Sequence, residues 1–208
     1  MKRALLAALA LLALVLAAPA LGQTAATGSA GWSFSAAAYA YFVPEDDDFL
    51  VPIVTADKGK LHLEARYQYE APDTGSIWAG ANFSGGTALE WEMTPILGLV
   101  FGDVDGLAPG YKGSLSWKSL ELYSEGEYVF DFAGSEGSFF YNWSELTVSP
   151  VDWLRVGIAT QRTRAYESDR EIQRGLMAGF SFGLATATAY VMNPDDDPTV
   201  IVSLGVEF

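Results

Sequence analysis

The sequence predicts an all-β protein, a closed antiparallel transmembrane β-barrel of about 12 strands. Two observations carry this prediction. Apolar and polar residues alternate along most of the chain, and after residue 22 no apolar run is long enough for a transmembrane helix. The clearest strand is the last, 199–208, in which Val200, Val202, Leu204, Val206 and Phe208 share one parity. A strand of this length can cross a bilayer when it is tilted.

Residues 1–22 have the composition of a cleaved secretory signal peptide. Lys2 and Arg3 precede an Ala/Leu/Val run, and Ala20 and Gly22 occupy the small-residue cleavage positions. A transmembrane anchor is the alternative, but the run is short and lacks a stop-transfer flank. No cysteine follows, which excludes a lipoprotein anchor. We therefore expect a periplasmic lead-in at 23–30 and the barrel at 31–208.

The chain is strongly acidic and has no cysteine. Its formal net charge is -14, and it becomes -16 when Lys2 and Arg3 leave with the signal. This charge argues against nucleic acid as a partner. The absence of cysteine excludes a disulfide scaffold and thiol chemistry.

Twelve strands can be assigned from alternation and turn residues. They are 31–43, 49–56, 60–70, 76–84, 87–102, 111–123, 127–132, 138–148, 153–165, 172–182, 185–192 and 199–208. We predict that 87–102 is one strand bent at Pro95, because an even number returns both termini to the periplasmic side. The alternative is a split at Pro95, since proline disrupts a ladder. Alternation slips near Lys118 and near Ser144, where we expect bulges.

The predicted connections fall into two sets that alternate along the chain. Those of two or three residues are 57–59, 84–86, 124–126, 150–152 and 183–184, and those of five or more are 44–48, 71–75, 103–110, 133–137, 166–171 and 193–198. Short periplasmic turns and longer outside loops are typical of outer-membrane barrels. A soluble β-sandwich has no reason to sort its loops in this way.

Alternation also predicts which polar side chains line the lumen. They are His62, Glu64, Arg66, Gln68, Glu70, Glu90, Glu92, Lys112, Lys118, Asn142, Arg155, Gln161 and Glu207. Mixed charges at this density must pair or stay hydrated. Barrels of 12 strands lie between small barrels filled by side chains and large open porins. A narrow hydrated pore and an occluded barrel therefore both remain open.

The residues do not predict an enzyme. A lipid hydrolase needs Ser and His together near the outer leaflet, whereas His62 lies on the polar side of its strand beside a short periplasmic turn. One histidine and no cysteine also argue against a transition-metal site. No glycine motif for phosphate binding occurs in a strand-turn-helix setting.

Two stretches carry a family resemblance. T-A-D-K-G-K-L-H-L-E-A-R-Y-Q-Y-E at 55–70 and Y-K-G-S-L-S-W-K-S-L-E-L-Y-S-E-G-E-Y-V-F-D at 111–131 resemble small bacterial outer-membrane barrels of an uncharacterised family. Wider similarity is to twelve-stranded barrels, which include narrow solute channels, a nucleoside channel, autotransporter translocators and a phospholipase. The terminal Phe208 resembles the C-terminal signal read by the barrel-assembly machinery. The resemblance implies a Gram-negative outer membrane, with its lipid and lipopolysaccharide as surroundings.

The expected function is a narrow, passive, porin-like channel for small polar solutes. Glu64, Glu70, Glu90 and Glu92 would give it a weak cation bias. The alternatives are an occluded structural barrel without transport and, less favoured, a lipid-modifying enzyme. Fold alone does not choose among them. No cofactor is expected.

The outside loops carry the remaining prediction. First and last strands pair in a closed barrel, so loops 44–48 and 193–198 should meet at the rim. Their carboxylates belong to Glu45, Asp46, Asp47, Asp48, Asp195, Asp196 and Asp197. Oxygen ligands of this kind suit weakly bound Ca²⁺ or Mg²⁺, shared with lipopolysaccharide phosphates. The alternative is a solvated acidic loop pair without metal.

Overall fold

The strands of the chain form one closed sheet. The computed structural model describes residues 31–44, 46–162, 172–195 and 197–208. The predicted signal peptide and lead-in lie outside these ranges. The strands are β1 (Ser33–Phe42), β2 (Phe49–Lys58), β3 (Leu61–Tyr67), β4 (Thr74–Ala81), β5 (Phe83–Gly86), β6 (Glu90–Gly102), β7 (Gly106–Trp117), β8 (Leu120–Asp131), β9 (Phe139–Val151), β10 (Leu154–Arg162), β11 (Gln173–Phe182), β12 (Ala185–Met192) and β13 (Thr199–Glu207).

Every strand pairs antiparallel with its neighbours, and the ring closes where β1 meets β13. β4 and β5 both pair with β6 and are interrupted only at Asn82, so they form two segments of one strand. The predicted twelve-stranded antiparallel barrel is therefore confirmed. β6 runs unbroken through Pro95, which lacks the N–H of a ladder donor, and the break falls on the neighbouring strand instead.

The predicted boundary between the sixth and seventh strands is wrong. The sequence placed a turn at 124–126, but the chain turns at 118–119, and Trp117 pairs with Leu120. Lys118 adopts a left-handed φ of 56°, as two-residue hairpin turns require. Asn, Asp and Gly are the usual residues there, so Lys-Ser gave no turn signal. The slip in alternation at Lys118 marks a turn and not a bulge.

The same shift shortens the loop before β7. The connection between β6 and β7 is 103–105 instead of 103–110, so it equals the turn at 87–89 in length. The predicted separation of short from long connections therefore fails at this loop. Elsewhere the longer connections share one end of the barrel. We call this the loop end, and the opposite end, where β1 begins and β13 finishes, the terminal end.

The outer wall of the barrel is apolar. Exposed leucine, isoleucine and valine side chains form its middle, and aromatic side chains form a band towards each end. The band at the terminal end includes Trp32, Phe34, Trp91, Trp117, Trp153, Phe180 and Phe208, and the band at the loop end includes Tyr67, Phe101, Tyr128, Phe130 and Phe140. Two aromatic girdles around an apolar band are typical of barrels that cross a membrane.

The described ranges contain one short 3₁₀ helix, Ser135–Gly137, between β8 and β9. No helix in this part of the chain is long and apolar enough to cross a membrane.

Candidate site in the barrel interior

The barrel interior is crossed by a charged network centred on Arg66 of β3. Its Nε donates to Glu64 at 2.7 Å, and its Nη1 donates to Glu127 of β8 at 2.8 Å. The same Nη1 lies 3.7 Å from Glu70, which enters from the loop after β3. Arg66 and these three carboxylates are buried. Because β3 and β8 are not neighbours in the sheet, the network bridges the lumen.

Two aromatic rings enclose the Arg66 guanidinium. Its Cζ lies 4.3 Å from the ring centroid of Tyr69 and 4.5 Å from that of Trp78. Trp78 Nε1 donates to the Ser76 hydroxyl at 2.8 Å, and that hydroxyl donates to Glu70 at 2.6 Å. Cation–π contacts strengthen when they are desolvated, as this one is. The cage therefore fixes Arg66 in one orientation.

Glu70 lies outside the membrane-spanning strands, yet its side chain is fully buried. Burial raises the pKa of the Glu70 carboxyl, while Arg66 and the Ser76 hydroxyl act in the opposite direction. The loop after β3 thus places a carboxylate inside the barrel.

His62 and Lys112 extend the network towards the terminal end. His62 Nδ1 lies 2.8 Å from Asp57, and its Nε2 lies 3.1 Å from Glu64. Lys112 Nζ of β7 donates to Glu64 at 2.9 Å. Glu64 therefore contacts three basic side chains, whereas Asp57 also accepts from Asn82 at 2.7 Å. Both nitrogens of the only histidine meet carboxylates.

A cavity of about 760 Å³ opens below this network at the terminal end. Its lining includes Asp57, His62, Glu92, Lys112 and Glu121. His62 and Lys112 thus belong both to the cavity and to the network above it. The cavity leads from the terminal end to the charged crossing.

Aromatic side chains fill much of the interior towards the loop end. Tyr41, Tyr141, Trp143 and Tyr190 are buried in one cluster. Glu145 lies among them and accepts from Trp143 Nε1 at 2.9 Å and from the Tyr190 hydroxyl at 2.8 Å. These side chains therefore occupy much of the interior above the Arg66 network.

The structure places most of the predicted lumen residues inside the barrel or at its mouth. His62, Glu64, Arg66, Glu70, Lys112, Arg155 and Gln161 lie in the interior, while Glu90, Glu92 and Glu207 lie at the mouth of the terminal end. Arg155 contacts Glu145 at 3.5 Å and Glu121 at 3.7 Å. Gln68 ends β3 with a φ of 55° and is half-buried in the loop.

Two predicted lumen residues lie elsewhere. Lys118 is in the turn between β7 and β8, where its Nζ lies 4.7 Å from the centroid of the Trp117 ring. Asn142 shares the outward parity of Phe140 and Leu146, so it belongs to the outer wall. There it donates to the Tyr111 hydroxyl at 3.2 Å and to the Glu125 carbonyl at 2.8 Å. The predicted bulge near Ser144 does not occur, because β8 and β9 pair without a shift of register.

Several central residues were missed by sequence reasoning. Glu125 and Glu127 were assigned to a turn and a strand start, although Glu121, Tyr123, Glu125 and Glu127 alternate along β8. Tyr69 was assigned outwards because β3 was expected to continue to residue 70. The left-handed Gln68 ends the strand and reverses this parity. Correct placement of the 118–119 turn would have shown both glutamates to be inward.

The acidic outside loops meet at the rim as expected, since Phe42 pairs with Val200. Arg174 Nη2 donates to Asp195 at 3.1 Å, and the Asp47 N–H donates to Asp46 at 2.7 Å. Glu45 and Asp196 lie outside the described residues. Within the described ranges, no group of three or more acidic or histidine side chains could hold a metal ion. The divalent site stays a prediction.

Phe208 ends the closing strand beside β1. Its backbone exchanges two hydrogen bonds with Phe34, at 2.8 and 2.9 Å, and the two rings stack with centroids 6.0 Å apart. The side chain remains largely exposed on the outer wall. It is thus accessible at the terminal end.

Comparison with known proteins identifies the fold. The chain matches no protein-family model and no curated protein. Among solved structures it is similar to a KdgM porin, with a TM-score of 0.61 and 10% identity over 84% of this chain and 99% of the porin. A KdgM porin in complex with disordered oligogalacturonate gives a TM-score of 0.54 and 9% identity, over 85% and 98%. At this identity the similarity concerns the fold alone: the chain has the twelve-stranded barrel fold of KdgM porins.

Proposed function

We propose that this protein is a narrow passive channel for small polar solutes in the outer membrane of a Gram-negative bacterium. The observation that carries the proposal is the cavity at the terminal end. It lies inside a closed ring of strands and is lined by polar and charged side chains. The apolar wall with its aromatic girdles supports the membrane location. We place the terminal end, with its short turns, on the periplasmic side of the membrane. The Arg66 network then forms the constriction of the channel.

The interior charge favours cations weakly. The inward acidic residues Asp57, Glu64, Glu70, Glu92, Glu121, Glu125, Glu127 and Glu145 outnumber the inward basic residues Arg66, Lys112 and Arg155. Glu64 contributes little to the bias, because His62, Arg66 and Lys112 all contact it. Glu90 and Glu92 lie at the periplasmic mouth and act on entering ions.

An occluded structural barrel is the second candidate. The buried aromatic cluster above the network favours it, because tyrosine and tryptophan side chains fill space that a pore would need. An enzyme is not proposed. His62 has carboxylates, and no hydroxyl, at both ring nitrogens.

Single-channel recording in planar bilayers tests the proposal. Purified folded protein should give small conductance steps with a reversal potential on the cation side. Glu127→Gln should loosen the hold on Arg66 and change the step size, whereas Lys118→Gln, in the turn outside the lumen, should not. Silence from protein with heat-modifiable gel migration would favour the structural barrel. A steady anion preference would contradict the charge argument.

Partners at the two rims are also proposed. Phe208 would be recognised by the barrel-assembly machinery, since it is exposed at the end of the closing strand.

The acidic rim would bind Ca²⁺ or Mg²⁺ weakly, together with lipopolysaccharide phosphates. Calorimetric titration of Ca²⁺ into the protein and into a variant with Asp46, Asp47, Asp195 and Asp196 changed to Asn checks the second idea. Identical heats would remove it.

A further inference from the structure

Two buried carboxylates of the Arg66 network share a single cation. Glu64 is contacted by Arg66, Lys112 and His62. Glu70 and Glu127 share Arg66, and within the described ranges no second cation reaches either of them. A buried carboxylate without a matching positive charge is costly. This part of the network therefore needs either one further cation or one bound proton.

Two buried oxygen atoms mark where that charge is missing. Glu70 Oε2 and Glu127 Oε1 are buried and have no hydrogen-bond partner among the described residues. Their other oxygens accept from Ser76 and from Arg66 respectively. Since Arg66 Nη1 lies within ion-pair distance of both carboxylates, the two side chains flank one nitrogen. The unpaired oxygens need donors that the described residues do not supply.

We propose that the network binds one small nitrogen cation, an ammonium or the head of a primary amine, at Glu70 and Glu127. Such a cation brings the missing charge and N–H donors for both unpaired oxygens. Tyr141 lies opposite Glu127 on β9, and its ring is in edge contact with that of Tyr69, with centroids 4.8 Å apart. Arg66 already shows that this environment accepts a nitrogen cation between aromatic rings and carboxylates.

A divalent metal fits the site less well. The described residues contain no group of three or more acidic or histidine ligands placed around one point. The available oxygens are two, and divalent hard cations take six or more. A nitrogen cation needs only two or three acceptors.

The cation would arrive from the terminal end. The cavity there is lined by His62 and Lys112, which both contact Glu64, and Glu64 in turn holds Arg66. Thus a cation at Glu70 and Glu127 lies one layer beyond the cavity. This part of the inference rests on the proposed channel function, because it assumes that solutes enter the lumen.

The test is calorimetric titration of methylammonium chloride into the folded full-length protein in detergent. Tetramethylammonium chloride at equal ionic strength is the reference ligand, since it has no N–H donor. The native protein should bind methylammonium saturably and tetramethylammonium much more weakly. Glu127→Gln and Glu70→Gln each remove one charge at nearly constant volume and should weaken binding roughly tenfold. Glu121→Gln, at the cavity wall, is the matched control and should retain it.

Equal heats from the native protein and from the doubly substituted E70Q/E127Q protein would overturn the inference. A second result would also overturn it. If E70Q/E127Q unfolds at a higher temperature than the native protein in ammonium-free buffer, and ammonium does not change the unfolding temperature of the native protein, then a bound proton neutralises the extra carboxylate. Heat-modifiable migration confirms that each variant is folded. Binding is measured without any current, so a silent barrel that binds refutes the channel only, and a conducting barrel that does not bind refutes the site only.

Discussion

At the scale of single residues, Gly98 determines how the interior packs. It faces the lumen on β6, and the Trp78 ring lies directly over it. A methyl group at residue 98 would come within 2.5 Å of that ring. The Trp78 ring also contacts Arg66, so the absence of a side chain at residue 98 leaves the space that this ring occupies.

Gly98→Ala should therefore destabilise the barrel. Displacing Trp78 costs about 1–3 kcal/mol, as overpacking of a filled interior usually does. Gly205→Ala is the control, because the nearest atom to its added methyl group lies 3.9 Å away. The measurement is the midpoint of heat-modifiable migration in lipid vesicles. Equal midpoints for the two variants would mean that Trp78 is free to move.

Residue-level prediction worked where alternation was regular. His62, Glu64 and Arg66 occupy alternate positions of a strand with a fully polar side, and all three lie inside. It failed where one residue changes backbone conformation. Gln68 and Lys118 both adopt left-handed φ values without the usual Gly or Asn. Neither position carries a signal that single-sequence reasoning can use, yet each ends the regular alternation of its strand. Tyr69 and the residues after Ser119 therefore face differently from the prediction.

At the scale of elements, β7, β8 and β9 carry a polar ring on the outer wall. The hydroxyls of Ser124 and Ser144 are 2.9 Å apart, Ser144 donates to the Asn142 side-chain oxygen at 3.2 Å, and Ser124 lies 3.1 Å from the Tyr111 hydroxyl. Asn142 closes the ring by donating to Tyr111. Rows of leucine lie on one side and aromatic rings on the other. The polar atoms are satisfied by one another.

Asn142→Ala should cost about 1–3 kcal/mol of stability, because it leaves hydroxyl groups in the apolar band without their partner. Replacing the whole ring, with Asn142→Leu, Ser124→Ala, Ser144→Ala and Tyr111→Phe, should recover most of the loss, since no hydroxyl or side-chain amide of the ring is left without its partner. Urea unfolding in lipid vesicles measures both. A single variant as stable as the native protein would show that the ring contributes nothing.

Element boundaries were predictable only in part. Tight turns with glycine or aspartate, such as 57–59 and 183–184, were found near their true positions. The segment 124–126, Ser-Glu-Gly, has turn composition but lies within β8, because pairing with strands on both sides outweighs local preference. Asn142 was placed in the lumen for a different reason, since a pattern of alternating polarity cannot distinguish a polar lumen from a polar ring on the outer wall.

At the scale of the whole molecule, the ring brings the start of β1 and the end of β13 together at the terminal end. Phe34 pairs with Phe208, and the turn at 118–119 opens at this same end. A protein whose native ends are joined by a short linker and whose chain is opened between Lys118 and Ser119 should still form the closed barrel, because no ladder is cut. Gel migration before and after heating detects closure.

The matched control opens the chain between Glu125 and Gly126, where the sequence alone suggested a turn. That cut lies inside β8 and removes ladder bonds on both sides, so this protein should fail to close. Closure of both proteins, or of neither, would contradict the strand boundaries described above. The closed fold itself was predictable because it depends on many strands, and an error at one boundary leaves the count at twelve.

The pairing of β1 with β13 also bears on how the molecule is made. Strand hydrogen bonds link residues at opposite ends of the sequence, so the ring cannot close until synthesis and export of the final strand are complete. The entropic cost of closing a loop rises only slowly with its length. The long sequence separation of β1 and β13 therefore adds little to the free-energy cost of pairing them. The greater hazard is kinetic, since an unfinished sheet has two open edges that invite aggregation. A strongly acidic chain repels its own copies during this interval, and this repulsion opposes such aggregation.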